Sequence, residues 1–126
     1  MKIKLRKSDK LFTRIQRFRF DYTCQKCGRK YSESNTMSLQ NLGVSHYYGR
    51  SRESTRFDSD NVTLLCNFPC HRRWESEGRG DYTEYMIERL GQKGFEELTK
   101  RANTYKKRND AEMEEILKEK IKLLEV

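Results

Sequence analysis

The side chains best suited to chemistry are four cysteines and two histidines, and all six lie between Cys24 and Glu77. The cysteines form two pairs, Cys24-x-x-Cys27 and Cys66-Asn-Phe-Pro-Cys70. Both spacings are those at which thiolate pairs grip one zinc ion. Gly28 follows the first pair and eases the tight turn that two thiolates three residues apart require. Four thiolates complete a tetrahedral ion, so the expected structural zinc folds the chain and does no catalysis. Two disulfides or four buried thiols are the alternatives. No stretch reads as a signal peptide or a transmembrane run, which places the chain in the cytoplasm, without a membrane partner, where disulfides are rare.

His46, Asn61 and His71 form a second constellation inside the same frame. An imidazole takes a proton from water near neutral pH and also ligates divalent cations, so two histidines suffice for metal-assisted hydrolysis. Glu75 stands four residues after His71, on the same side of any helix there. It is a candidate second ligand for that ion, or else an exposed partner of Arg72 or Arg79. Asp58 and Asp60 are further carboxylates within reach.

The run SHYYGR…TRFDSDNVTLLC…CHRRW, with His46 and Asn61 separated by 15 residues and His71 next to Cys70, resembles the HNH (His-Asn-His) nucleases of the ββα-metal fold. With DYTEYMIERLGQKGFEEL behind it, the stretch from Cys24 to Leu98 is similar to the phage NinG-type recombination proteins. The resemblance implies that His46 is a general base and that Asn61 braces the loop and the histidine strand. It further implies that His71 holds one catalytic divalent ion (Mg²⁺, Mn²⁺, Ni²⁺ or Zn²⁺). One departure stands out. Many HNH enzymes have a ligating aspartate or histidine before the base, and this chain has Ser45, a poor ligand, so another group must complete the site.

Charge points to a polyanionic partner: the net charge is +8 and the pI about 9.4. Arg50, Arg52, Arg56, Arg72 and Arg73 surround the histidines in sequence and are candidate DNA contacts. Arg50, just past the first strand, is the best placed to clamp a phosphate. Acids are interspersed, so several of these arginines could form salt bridges instead. Residues 1–20 carry eight Lys or Arg (Lys2, Lys4, Arg6, Lys7, Lys10, Arg14, Arg17, Arg19) against the single acid Asp9. Lys7, Lys10, Arg14 and Arg17 are therefore expected to track phosphates, the alternative being a solvated face.

The elements that must position these groups follow from periodicity. A helix is expected from Ser8, capped by it, with Leu11, Ile15 and Phe18 as its apolar stripe. Residues 42–48 and 62–65 have strand composition, with a polar loop between them. CHRRWESE reads as a short helix opened by Pro69 and ended by Gly78, with Trp74 in the core. Beyond it, a helix capped by Asp81 stops at Gly91. A second follows from Gly94, and a third is capped by Asn109 or Asp110, with Met113, Ile116, Leu117, Ile121 and Leu124 on one side. That last stripe packs on the domain or pairs two protomers in a homodimer.

The expected fold class is α+β: a small zinc-stabilised ββα-metal (HNH) module with flanking N- and C-terminal helices. Residues 1–22 form a basic arm, 23–78 the four-cysteine nuclease module and 79–126 a helical extension. Hydrophobic residues are only 34% of the chain, so the core is thin and a zinc staple fits it. The expected function is a metal-dependent DNA endonuclease, a phage recombination nuclease cutting double-stranded, branched or displaced-strand DNA in the bacterial host cell. The alternative is a non-catalytic zinc-stabilised DNA-binding module. A protein–protein adaptor leaves the charge unexplained.

Overall fold

Two strands rich in Val, Leu and Thr form the centre of the molecule. The computed structural model describes residues 4–124, apart from the side chains of Phe68 and Pro69, so Lys2 of the basic arm lies outside the described residues. Strands β1 (Leu42–His46) and β2 (Val62–Cys66) pair antiparallel, with Leu42 opposite Cys66 and His46 opposite Val62. Nearly every residue of both strands is buried, so both faces of this small sheet are covered. Helix α1 (Lys7–Arg19) lies on one face, where the Phe12 ring meets His46. The other face receives α4 (Arg79–Ala102), where the Tyr82 hydroxyl bonds Ser45 and Met86 meets Thr63. Helix α5 (Asp110–Leu124) packs against α1. A four-residue helix, α2 (Thr36–Leu39), precedes β1, and a second, α3 (Glu53–Arg56), with a 3₁₀ turn at Ser59–Asn61 occupies the stretch expected to be a loop. The result is an α+β architecture.

Helix α1 departs from its expected stripe. It starts one residue earlier, at Lys7, and Ser8 is not its cap but a buried residue inside it. The buried positions are Ser8, Asp9, Phe12, Ile15 and Gln16, while Phe18 is half exposed. Polar groups enter this face because most find partners there: Gln16 donates to Ser59 Oγ (3.0 Å) and Asp9 receives Arg56. A hydrophobic-only periodicity cannot register such positions.

The segment after β2 winds as two π-helical stretches, Asn67–His71 and Arg73–Glu77, so Pro69 lies within the first stretch rather than opening it. Trp74 is buried and stacks on Tyr82 at 4.9 Å, as expected of a core residue. Gly91 does not end its helix. It kinks α4 at φ 79°, a left-handed conformation natural to glycine, and the helix continues to Ala102. Asp81 lies in the first turn of α4, with Gly78 at the cap position. Asn109 caps α5, accepting the Glu112 N–H at 3.1 Å. Leu117 and Ile121 are buried within the chain, and Ile116 faces outward.

The three expected segments share one core, which runs from Phe12 and Ile15 through the sheet to Met86, Leu98, Leu117 and Ile121. No described helix is long and apolar enough to cross a membrane. Gly43 marks the tightest approach: a Cβ there would stand 2.5 Å from Asn67 Oδ1, while the Asn67 side chain is tied to Gln40 O at 2.9 Å. Gly43→Ala is expected to cost about 0.5–1.5 kcal/mol in denaturant unfolding, because the exposed Asn67 amide must swing away and give up its bond to Gln40.

Candidate metal centre and histidine site

The turn at Cys24–Gly28 brings the first cysteine pair to the end of β2. Gly28 adopts φ +79° and its N–H bonds Cys24 O at 2.9 Å, so the expected glycine turn is present. The four Sγ atoms of Cys24, Cys27, Cys66 and Cys70 lie within 4.8 Å of one another, and none is in a disulfide. Cys27 and Cys66 sulfurs are 3.6 Å apart. Four thiolates about 2.3 Å from a zinc ion stand just under 4 Å from one another, so the cluster fits a tetrahedral ion. Burial raises the Cys24 thiol, but N–H donors from Cys27, Cys66 and Lys26 outweigh it and bring the group down to about 7. Burial pushes Cys70 up to about 12 and raises Cys66 as well, penalties that a bound divalent cation reverses. These four residues would hold a structural zinc, with no position left for substrate.

His46 ends β1 and is almost wholly buried. Its Nε2 lies 2.8 Å from the carbonyl of Arg56. A carbonyl only accepts, so Nε2 carries the proton and Nδ1 keeps its lone pair. That buried Nδ1 makes no hydrogen bond within the described residues. The ring's proton affinity is low: burial first, then the nearby Arg50 charge, push it down to about 4, against the opposing pull of the Arg56 carbonyl and Asp9. His46 is therefore neutral throughout the neutral range, in the form that accepts a proton. NMR titration of the His46 ring is expected to give a midpoint near 4 rather than the ordinary 6.5. Since the unfolded ring binds its proton at the higher value, its contribution to stability is complete above 6.5 and is lost as pH falls through about 4. A midpoint at 6 to 7 would mean that the ring is not buried as described.

Asn61, fully buried at the start of β2, spans the base of the polar loop. Its amide donates to Tyr48 O (2.9 Å) and Thr55 O (3.0 Å), and its Oδ1 accepts from Tyr48 N–H (2.9 Å). Its three side-chain hydrogen bonds all hold the loop that returns from the histidine strand.

His71 and Glu75 meet across one helical turn, with Nε2 2.7 Å from Oε1. Ser45 Oγ donates to the same Glu75 oxygen at 3.0 Å, and the Tyr82 hydroxyl donates to Ser45 Oγ at 3.0 Å. Burial raises the Glu75 carboxyl, but His71, Ser45 and Arg50 outweigh it and hold it below the ordinary carboxylate range. The serine at the departure position thus acts through Glu75. His71 and Glu75 are bonded directly to each other, and among the described residues the group of three or more His, Cys, Asp or Glu that could hold an ion is the four cysteines. Asp58 and Asp60 lie elsewhere, both paired with Arg101.

The arginines divide. Arg50 lines a cleft of about 160 Å³ at the β1 edge, with Lys10, Thr13, Gly43, Asn67 and His71 among its walls, and its charge acts on both His46 and Glu75. Lys7, Lys10 and Arg14 are exposed at successive turns of α1, on one side of it. Arg72 and Arg73 are exposed on the second π-helical stretch and the residue before it. Arg56 is not a surface contact: its side chain is 3% exposed and bonds Asp9 through Nε (3.0 Å) and a terminal nitrogen (2.6 Å). Arg17 donates to Leu39 O and Leu42 O, and Arg52 to Ala102 O and Asn103, so both serve as ties between elements. Asp9, Ser45 and Tyr82 were not among the candidate site residues. Asp9, the lone acid among eight basic residues, carried a signal in that isolation. Tyr82 carried none.

Comparison of the chain with protein-family models, curated proteins and solved structures finds no match.

Proposed function

We propose that the chain is a metal-dependent DNA endonuclease of HNH type, stapled by a structural zinc, that hydrolyses phosphodiester bonds in the bacterial cytoplasm during phage recombination. The observation that carries this reading is Arg50, which lines a cleft with His71 and whose charge acts on His46 on one face of β1 and on Glu75 on the other. His46 presents an oriented, neutral imidazole, and Ser45 beside it holds the Glu75–His71 pair.

In this scheme seating of the DNA uncovers His46 Nδ1, which is buried in the free chain, and that nitrogen takes a proton from the attacking water as it adds to phosphorus. The bond from phosphorus to the 3′ oxygen breaks, and that oxygen leaves with a proton from solvent. Asn61 keeps the loop closed behind the imidazole, and Arg50 faces the non-bridging oxygens from the cleft wall. His71 and Glu75 would hold one divalent ion, which neutralises the phosphate and the leaving oxygen when bound. The exposed Lys7, Lys10 and Arg14 extend a basic track from the cleft along α1. Branched or displaced-strand DNA is the proposed substrate class, resting on the resemblance to NinG-type proteins.

The test is incubation of the zinc-loaded protein with plasmid and branched DNA across Mg²⁺, Mn²⁺, Ni²⁺ and Zn²⁺. Ser45→Ala is expected to raise the ion concentration needed for half-maximal cleavage roughly tenfold, because it frees the carboxylate that Ser45 holds. Glu75→Ala is expected to raise it at least as much. Unchanged ion dependence in Glu75→Ala would remove Glu75 from the ligand set.

One observation favours a second reading. His46 is buried against Phe12, as a core histidine would be, and a non-catalytic zinc-stabilised DNA binder would keep it so. No cleavage under any of these ions, with salt-dependent DNA binding intact, would select that reading.

A further inference from the structure

The single acid of the amino-terminal segment sits at the convergence of the polar network. Asp9 is buried in the first turn of α1, where its Oδ2 also accepts the Arg6 N–H at 2.7 Å. Its carboxylate takes both prongs of the Arg56 guanidinium, at 3.0 and 2.6 Å. Two further Arg56 donors go to Arg50 O (3.2 Å) and Lys4 O (3.1 Å). The backbone carbonyl of the same Arg56 receives His46 Nε2–H at 2.8 Å. Arg50 Nε stands 4.0 Å from Asp9 Oδ1.

We infer that Asp9 and Arg56 are a positioning pair for His46, so that α1 forms part of the frame of the catalytic site and is more than a DNA-facing arm. The inference rests on the nuclease reading for its kinetic consequence and on geometry alone for its structural one. Arg56 is the only residue that touches α1 with its side chain and His46 with its backbone among the described contacts. A two-pronged guanidinium–carboxylate pair fixes direction as well as distance, because both planar groups must align. Fixing the side chain of Arg56 fixes its peptide plane, and that plane selects which His46 nitrogen carries the proton. The carbonyl of Arg50 hangs on the same guanidinium, so the proposed phosphate clamp shares the support. Asn61 holds the loop at Tyr48 and Thr55, and the Asp9–Arg56 pair holds it at Arg50 and Arg56. Residues 48–56 are thereby pinned from two sides, one within the sheet and one from α1.

The alternative role for a buried pair is to staple α1 in place with no bearing on the imidazole. Asp9→Asn and Arg56→Lys separate the two. The asparagine keeps one acceptor oxygen but turns an N–H toward Arg56, and the lysine keeps the charge but loses the second prong. Both are measured in the full, zinc-loaded chain below its melting temperature. The first readout is the ¹⁵N spectrum of the His46 ring. The parent is expected to show a proton on Nε2 and a lone pair on Nδ1, and the variants a mixture of both tautomers. The second readout is single-turnover cleavage of supercoiled plasmid at saturating ion. With protein in excess, so that any change in affinity does not enter, it is expected to fall about ten- to a hundredfold in the variants. A variant that melts lower yet keeps the parental tautomer and cleavage rate overturns the inference. Absence of cleavage in the parent overturns the nuclease reading, and the ring spectra alone then decide whether Asp9 and Arg56 orient His46. The lysine variant is the milder of the two, and either folded variant suffices to decide.

Discussion

His46→Ala is expected to lower DNA hydrolysis by about 10²–10⁴-fold, the usual cost of removing a general base, while zinc content and DNA affinity stay near parental values. In the proposed mechanism the imidazole acts on the attacking water and contributes little to holding the ground-state phosphate. Because the ring is buried beside Phe12, the substitution also leaves a small cavity and lowers the melting temperature. The sheet and the metal-loaded cysteine cluster are expected to hold the fold despite it, so rates compared well below the melting temperature isolate the chemical effect. Plasmid nicking followed by gel electrophoresis, with contaminating nuclease excluded by a mock purification, is sufficient. Cleavage by His46→Ala at the parental rate would sink the HNH mechanism and leave the DNA-binding module as the better account.

Removal of the zinc is expected to be the largest perturbation to stability. Cys24, Cys66 and Cys70 belong to the hydrophobic core, and the four sulfurs converge from two separate chain segments. Losing a structural zinc forfeits on the order of 10 kcal/mol, more than the net stability of most domains this small. A strong chelator should therefore unfold the chain at room temperature, with loss of far-ultraviolet dichroism, and zinc addition should restore it. Cys66→Ser should fail to recover a cooperative melt, because it removes a ligand that also accepts from Tyr31 at 3.2 Å. Elemental analysis should return about one zinc per chain. A metal-free protein with an unchanged melt, or two disulfides by mass, would overturn this.

Truncating residues 1–10 is no clean probe of the basic arm, because the cut removes Asp9 together with Lys7 and Lys10. Charge reversal at Lys7, Lys10 and Arg14 leaves the buried acid in place. Each lost phosphate contact should reduce the salt slope of DNA binding by about one. An unchanged slope would make the track a solvated face.

Local chemistry was legible in the chain itself. Cysteine spacing and Gly28 specified the sulfur cluster, because ligands within a few residues of each other are constrained by the turn between them. Composition rich in Val, Leu, Thr and Tyr placed β1 and β2, and the cap at Asn109 followed from a single residue, whereas Gly91, read as a stop, bends a helix that continues to Ala102 because packing on the core carries it on. The histidine and asparagine positions were legible as residue types, since few other side chains can take a proton or close a loop by amide bonds. Partners distant in sequence were not. Arg56 and Arg50 are alike as letters, yet one is buried on Asp9, 47 residues away, and the other faces the cleft. Ser45 reads in the sequence as a missing ligand, whereas in the fold its hydroxyl bridges Glu75 and Tyr82. A charge lowers its energy by pairing, and which partner it meets depends on how helices pack on the sheet, a property that no local pattern of residues encodes.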